Sequence, residues 1–175
     1  MRPLIKATPS TVDLVIEDAR WNGTNLAVLA QRALDLALKH AQIDAPVEVA
    51  VMACDDARIA TLNSTFRGKS SATNVLSWPA FDLFPDSPGG APSTRIPSDP
   101  FGLVSLGDIA IAYETVVAEA TASAISLDDH SLHLILHACL HLLGYDHQTE
   151  ADAARMEALE DQALAEIGIA SPYDG

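Results

Sequence analysis

The residues best suited to chemistry lie in one short block, residues 137–147, with the sequence HACLHLLGYDH. Its first two histidines, His137 and His141, are four residues apart and therefore share one face of a helix, one turn from each other. Gly144 can end that helix in a left-handed conformation, which lets the chain reverse and bring His147 to the same ion. Three histidines with an open fourth position are typical of catalytic zinc sites. The block therefore predicts one Zn²⁺ ion per chain.

His133 lies upstream on roughly the same helix face and offers a rival triad with His137 and His141. Eight residues of helix rise about 12 Å, whereas the ligands of one zinc ion lie about 2 Å from it. His133 and His141 therefore cannot share an ion. Two hypotheses for His133 stay open. It orients a metal ligand without binding the metal itself, or it is an ordinary hydrogen-bonded helix residue.

The spacing of the block matches the zinc-protease signature H-E-x-x-H-x-x-G-x-x-H, in which the glutamate is the general base. Ala138 occupies the glutamate position here and cannot transfer a proton, which argues against peptide hydrolysis. Asp146 is the nearest acid. It can accept a proton, hold a ligand imidazole through its second ring nitrogen, or only bond the backbone of its own turn.

Four segments together resemble the bacterial YbeY family, metal-dependent endoribonucleases of ribosomal RNA maturation. Residues 137–147 are similar to the family's H-G-x-L-H-L-x-G-x-D-H signature, and residues 62–69 (LNSTFRGK) to its L-N-x-x-[YF]-R-x-K stretch. Residues 73–79 (TNVLSWP) and 106–111 (LGDIAI) resemble its T-D-V-L-S-F-P and L-G-D-I-x-I strands. The resemblance covers most of the chain from about residue 47 to 169.

Two positions depart from the family's pattern, and two others gain a role from it. Ala138 replaces the usual glycine and adds a methyl group close to the metal, and Asn74 replaces the usual aspartate and removes a charge. The family's catalytic arginine falls on Arg67, whose guanidinium can bind two phosphate oxygens at once. The residues alone would make Arg67 a cation that complements the end of a helix. Lys69 is a second candidate for substrate binding.

The resemblance implies a zinc-dependent endoribonuclease that cleaves single-stranded RNA in 16S ribosomal RNA maturation and ribosome quality control. The three histidines of the block would bind the metal, Arg67 and Lys69 would bind the substrate, and Asp146 would steer a ligand or accept a proton. Either water or the RNA 2′-OH can be the nucleophile. Two alternatives stay open: a metallohydrolase of peptides or esters, and a non-enzymatic ribosome assembly factor with structural zinc.

The charge of the chain points to assisted RNA binding. The net charge is −14, and from Ile96 onward there are fourteen Asp and Glu residues against one base, Arg155. RNA-binding proteins usually carry a basic face, although at physiological salt exposed charges are screened beyond about 8 Å and act locally. We therefore expect the ribosome or a ribosomal protein to act as a delivery partner for the RNA.

Hydropathy and cysteine usage predict a cytoplasmic protein. No run of 18 or more apolar residues is present, so no membrane span is expected, and the N-terminus (MRPLIK) lacks the apolar stretch of a signal peptide. The two cysteines, Cys54 and Cys139, lie in apolar segments and are predicted to be free, buried thiols.

Alternating strand and helix patterns must position these residues. The predicted strands are 12–17, 47–53, 73–78 and 103–112. The predicted helices are 26–41, 56–66, 113–124, 128–143 and 149–167. A surface loop rich in Pro, Gly and Ser covers about 79–100. We expect one domain over residues 1–175, of the α/β (α+β) class, in which helices cover a central, mostly four-stranded sheet and the metal-binding helix is central.

Overall fold

The computed structural model describes residues 9–69, 71–97, 99–100 and 102–173. The described residues form four strands: β1 (Thr11–Ile16), β2 (Val47–Cys54), β3 (Val75–Pro79) and β4 (Val104–Ala112). They also form five α-helices: α1 (Leu26–His40), α2 (Asp56–Arg67), α3 (Tyr113–Ala122), α4 (Leu127–Leu142) and α5 (Glu150–Glu166). These bounds lie close to the predicted ones. A short 3₁₀ helix at Ala19–Gly23 was not predicted.

The four strands form one mixed sheet in the order β1-β2-β4-β3. β1 pairs with β2 and β2 with β4 in parallel, whereas β3 pairs with β4 in the antiparallel direction. Parallel neighbours need crossover connections, and α1 supplies the one between β1 and β2. The predicted α+β fold with a central four-stranded sheet is confirmed, and β3 is an edge strand.

Helix α4, which carries the histidine block, lies at the centre of the fold. It packs against α1, α3, α5, β3 and β4. The Ser126 hydroxyl caps its start by accepting a 3.0 Å hydrogen bond from the Asp129 backbone N–H. Its apolar side chains are fully buried in the main core: Leu132, Ile135, Leu136, Cys139, Leu140 and Leu142. The remaining face carries the histidines, so α4 holds them on a rigid support.

The chain reverses after α4 at Gly144, as predicted. Gly144 has φ = 100°, and the Tyr145 N–H closes the turn with a 3.1 Å hydrogen bond to the Leu140 carbonyl. A Cβ atom at Gly144 would lie 2.5 Å from the Leu83 carbonyl oxygen. Glycine is therefore required both for its backbone conformation and because the backbone at Leu83 approaches so closely.

The proline-rich loop after β3 is attached to the helices in its described part. Leu83 is buried against the Gly144 turn. The Gly89 N–H donates a 2.8 Å hydrogen bond to the Asp152 carboxylate, and the Arg155 guanidinium donates a 2.9 Å bond to the Gly89 carbonyl. The loop thus supports the turn that leads to His147. None of the helices in the described ranges is long and apolar enough to cross a membrane.

Candidate active site

A cavity of about 490 Å³ lies between α4, β3 and the C-terminal end of α2. It is lined by five of the six predicted site residues: Arg67, His137, His141, Asp146 and His147. The sixth, Lys69, is exposed and is not among the residues that line it. The structure therefore brings the predicted arginine, 70 residues before the histidine block, to the same cavity as the block.

The His141 imidazole is held by the turn that follows α4. Its Nδ1 lies 3.0 Å from the Tyr145 carbonyl oxygen. A carbonyl can only accept a hydrogen bond, so Nδ1 carries the hydrogen and Nε2 is the free nitrogen. Burial lowers the pKa of His141, with the charge of Asp146 acting in the opposite direction. A neutral imidazole with a free Nε2 is the form that binds metal ions.

The His137 imidazole is held by Glu160, a residue that the sequence analysis did not identify. The Nδ1 of His137 donates a hydrogen bond to Glu160 Oε1. Glu160 lies on α5, and its side chain is 0% exposed. The neighbouring residues on that face of α5, Met156, Ala163 and Leu164, belong to the core. A charged residue on the apolar face of an amphipathic helix was the signal available in the sequence.

Two further donors converge on the Glu160 carboxylate. His133 Nε2 lies 3.4 Å from Oε2, and the Tyr173 hydroxyl donates to the same oxygen. Burial alone would raise the pKa of Glu160, but the hydrogen bonds from His133, His137 and Tyr173 outweigh it and lower the pKa to about 2. Burial and the hydrogen bond to Glu160 raise the pKa of Tyr173. A buried anion thus lies behind the cavity wall.

Arg67 reaches the cavity from the last turn of α2. Gly68 follows it in the left-handed conformation, with φ = 68°, and ends the helix. The Arg67 Nη2 donates a 2.9 Å hydrogen bond to the Ser77 carbonyl on β3. One N–H is used in this bond, and the guanidinium has other donors that remain for a ligand.

Asp146 lies in the cavity wall immediately before the third histidine. Its Oδ1 accepts a 2.8 Å hydrogen bond from the backbone N–H of His147. This is the local backbone contact that was one of the three roles considered for Asp146 from the sequence. It fixes the backbone where His147 enters the site. The His147 ring is stacked against the His137 ring, with 5.4 Å between centroids.

Among the described residues, no three His, Cys, Asp or Glu side chains are grouped closely enough to hold a metal ion as they stand. The donor chemistry nevertheless fits one ion. The three imidazoles of the block at residues 137–147 line one cavity, and two of them, His137 and His141, have Nδ1 engaged so that Nε2 is free. The Zn²⁺ assignment stays a prediction.

Asn74, one of the two departures from the family pattern, also lines the cavity. Its Nδ2 donates hydrogen bonds of 2.9 and 3.3 Å to the two carboxylate oxygens of Glu119. Glu119 also pairs with His130 at 3.0 Å. An amide at position 74 thus supplies a donor to a carboxylate where an aspartate would place a second negative charge.

The chain is similar to known proteins over most of its length. The family model described as endoribonuclease YbeY matches residues 14–168. A relative of that name from Dinoroseobacter shibae is 52% identical over 166 residues, which cover 94% of this chain and 91% of the relative. One from Ruegeria pomeroyi is 50% identical over 164 residues, covering 93% and 98%. The solution structure of TM1509 from Thermotoga maritima matches with a TM-score of 0.50 and 20% sequence identity, over 90% of this chain and 91% of that one. This similarity supports the fold alone.

Proposed function

Because the chain belongs to the YbeY family of endoribonucleases, it is an RNA-cleaving hydrolase, and we propose that the histidine cavity is its active site. One observation carries the proposal: the imidazoles of residues 137, 141 and 147 and the Arg67 guanidinium line a single cavity. Phosphodiester cleavage is accelerated by positive charge next to the phosphate oxygens. The Arg67 guanidinium carries such a charge, and a metal ion held by the neutral imidazoles would add another. The substrate we propose is single-stranded RNA, whose backbone is free to enter a cavity of this kind.

The metal ligands we propose are His137, His141 and His147. Three neutral nitrogen donors suit Zn²⁺ and leave a fourth position open, as in catalytic zinc sites. A metal ion bound there would supply Lewis-acid stabilisation of the negative charge on a phosphate oxygen. The chain's own contribution is to hold the imidazoles: the Tyr145 carbonyl orients His141, and the Asp146 carboxylate fixes the backbone of His147.

Arg67 would bind the phosphate. The Ser77 carbonyl holds one edge of the guanidinium, and the remaining N–H groups can form two parallel hydrogen bonds to phosphate oxygens. Asp146 is the one carboxylate among the described cavity-lining residues, so it is the candidate proton acceptor. Lys69 is exposed two residues beyond Arg67 and would contact RNA only outside the cavity.

Ala138 lines the cavity where zinc proteases carry their glutamate base, and its methyl group cannot transfer a proton. The lack of a general base at this position disfavours the alternative function as a peptide hydrolase. A purely structural zinc site would need a fourth protein ligand. Cys139 is fully buried in the core and is not among the residues that line the cavity, which disfavours it as that ligand.

The biological setting we propose is maturation of 16S ribosomal RNA and ribosome quality control in the bacterial cytoplasm. The acidic chain, with net charge −14, repels RNA at long range. Binding to free RNA should therefore be weak, and the ribosome or a ribosomal protein would deliver the substrate. Nanomolar binding to naked RNA at physiological salt would contradict delivery by a partner.

Cleavage of a single-stranded RNA by metal-loaded protein, chelated protein and His147→Ala tests the proposal. We expect chelation and the substitution each to abolish cleavage. His40→Ala is the control, because His40 pairs with Glu166 outside the cavity and its loss should leave the rate unchanged. Full activity of folded His147→Ala would refute the site. A 2′,3′-cyclic phosphate at the product ends would identify the RNA 2′-OH as the nucleophile. A 5′-phosphate with a 3′-OH would identify water, because attack by the 2′-OH always leaves a 5′-OH.

A further inference from the structure

We propose that Glu160 is a positioning residue for His137: its buried carboxylate sets the ring orientation and tautomer that direct Nε2 into the cavity. His133 and Tyr173 in turn hold the carboxylate. The inference rests on the proposed metal site and assigns roles to three residues outside the triad. None of the three would touch the metal ion.

The contact between the two side chains fixes the tautomer. Glu160 Oε1 accepts from His137 Nδ1, while Oε2 is approached by His133 Nε2 and the Tyr173 hydroxyl. A carboxyl group surrounded by three donors is in its accepting form, so the hydrogen of the His137 imidazole lies on Nδ1. Nε2 then carries a lone pair and faces away from Glu160, because the two nitrogens lie on opposite sides of the ring.

The position of Glu160 makes this support rigid. Its side chain is 0% exposed, and its neighbours on α5, Met156 and Leu164, are buried in the same core as α4. Helices α4 and α5 pack directly against each other. The carboxylate therefore cannot follow a rotating imidazole, and any other orientation of His137 would leave a buried charge with fewer donors.

His133 and Tyr173 act on Glu160 and not on the ion. The His133 ring lies one turn before His137, with 6.5 Å between ring centroids, and its Nε2 is directed to Glu160 at 3.4 Å. The Tyr173 ring contacts the His133 ring edge-on, with centroids 6.2 Å apart. Both side chains line the cavity, so they close the carboxylate off from it. Under this proposal His133 supports a metal ligand indirectly, through Glu160.

Two measurements on purified protein test the inference. Long-range ¹H–¹⁵N NMR of the metal-free protein reads the tautomer of each histidine, and competition with a chromophoric chelator gives the Zn²⁺ affinity. We expect the Nδ1–H tautomer at His137 in the wild type and a mixture in Glu160→Gln, because a glutamine amide can present either its oxygen or its nitrogen. The Zn²⁺ affinity of Glu160→Gln should fall about 10- to 100-fold.

Glu166→Gln is the matched control, because Glu166 lies on the same helix and pairs with His40 at 3.0 Å away from the cavity. It should change neither measurement. Tyr173→Phe removes one donor to Glu160 and keeps the ring, so it should weaken Zn²⁺ binding less than Glu160→Gln does. It also decides the question if Glu160→Gln does not fold, since unchanged Zn²⁺ affinity in Tyr173→Phe would then count against the inference.

The outcomes separate this inference from the proposed function. Wild-type protein that binds no Zn²⁺ refutes the metal site and the inference with it. Wild-type protein that binds Zn²⁺ while folded Glu160→Gln binds it equally well refutes the role of Glu160 alone. An Nε2–H tautomer at His137 in the metal-free wild type also refutes the role of Glu160. In that tautomer the unprotonated Nδ1 of His137 and the Glu160 carboxylate, both hydrogen-bond acceptors, would face each other.

Discussion

The Arg67 guanidinium donates a 2.9 Å hydrogen bond to the backbone carbonyl of Ser77, and this contact holds the end of α2 against the edge strand β3. Arg67 is exposed at the helix end, so without a partner its side chain would be free in solvent. The bond holds the guanidinium in the wall of the cavity that the histidine block also lines.

Replacing Arg67 by lysine keeps the positive charge but removes the planar arrangement of N–H donors. An ammonium group cannot bond the Ser77 carbonyl and two phosphate oxygens in one plane. We expect Arg67→Lys to lower kcat/KM for RNA cleavage about 100-fold, the cost of losing one oriented donor in an active site, with Zn²⁺ affinity unchanged. Arg58→Lys on the same helix is the control, since Arg58 pairs with Glu17 at 3.3 Å. Equal rates for the two variants would contradict the role of Arg67.

A methyl group at Gly144 should destabilise the protein through two effects. It would strain a backbone with φ = 100° and lie 2.5 Å from the Leu83 carbonyl oxygen. Gly168→Ala separates the two effects, because Gly168 also has a positive φ, 75°, but has nothing within 4 Å of an added Cβ. We expect a loss of about 1 kcal/mol in unfolding free energy for Gly168→Ala and about 2 kcal/mol more for Gly144→Ala. Denaturant unfolding measures both, and equal losses would show that the Leu83 contact is unimportant.

Restoring the family's usual aspartate at position 74 should lower stability at neutral pH. Asn74 donates to Glu119 at 2.9 Å, so Asn74→Asp would replace a hydrogen bond by two facing carboxylates. Such a pair binds a proton more readily than a lone carboxylate. The destabilisation should therefore be full at pH 7 and shrink as the pH falls and the pair takes up that proton. The double variant with Glu119→Gln should recover the lost stability, and thermal unfolding across pH 4 to 8 checks both expectations.

The two free cysteines should be unreactive in the folded protein. Burial raises the pKa of Cys139 to about 12, and burial, with the charge of Glu17 next in size, raises the pKa of Cys54 to about 12. Because the thiolate is the reactive form, a raised pKa leaves both thiols protonated at pH 8. A disulfide reagent should label neither thiol in native protein and both after unfolding. Rapid labelling of native protein at pH 8 would contradict the burial of these side chains.

Local sequence determined the metal-ligand candidates and the elements that carry them. The four-residue spacing of His137 and His141 follows helix periodicity, and the turn at Gly144 follows from the conformational freedom of glycine. Both properties act over a few residues, so they can be read directly from the sequence. The family motifs added Arg67, which the spacing alone would have left as a helix-end cation.

Tertiary structure alone decided which distant groups support those residues. Glu160 lies 23 residues from His137, Ser77 contributes a backbone carbonyl, and Leu83 constrains Gly144 from a loop before β4. No periodicity marks such contacts, because they depend on how α4, α5 and β3 pack. The same packing leaves Lys69 outside the cavity while Arg67 lies within it. The sequence therefore specified the chemistry of the site, and the fold supplied the hydrogen-bond partners that orient it.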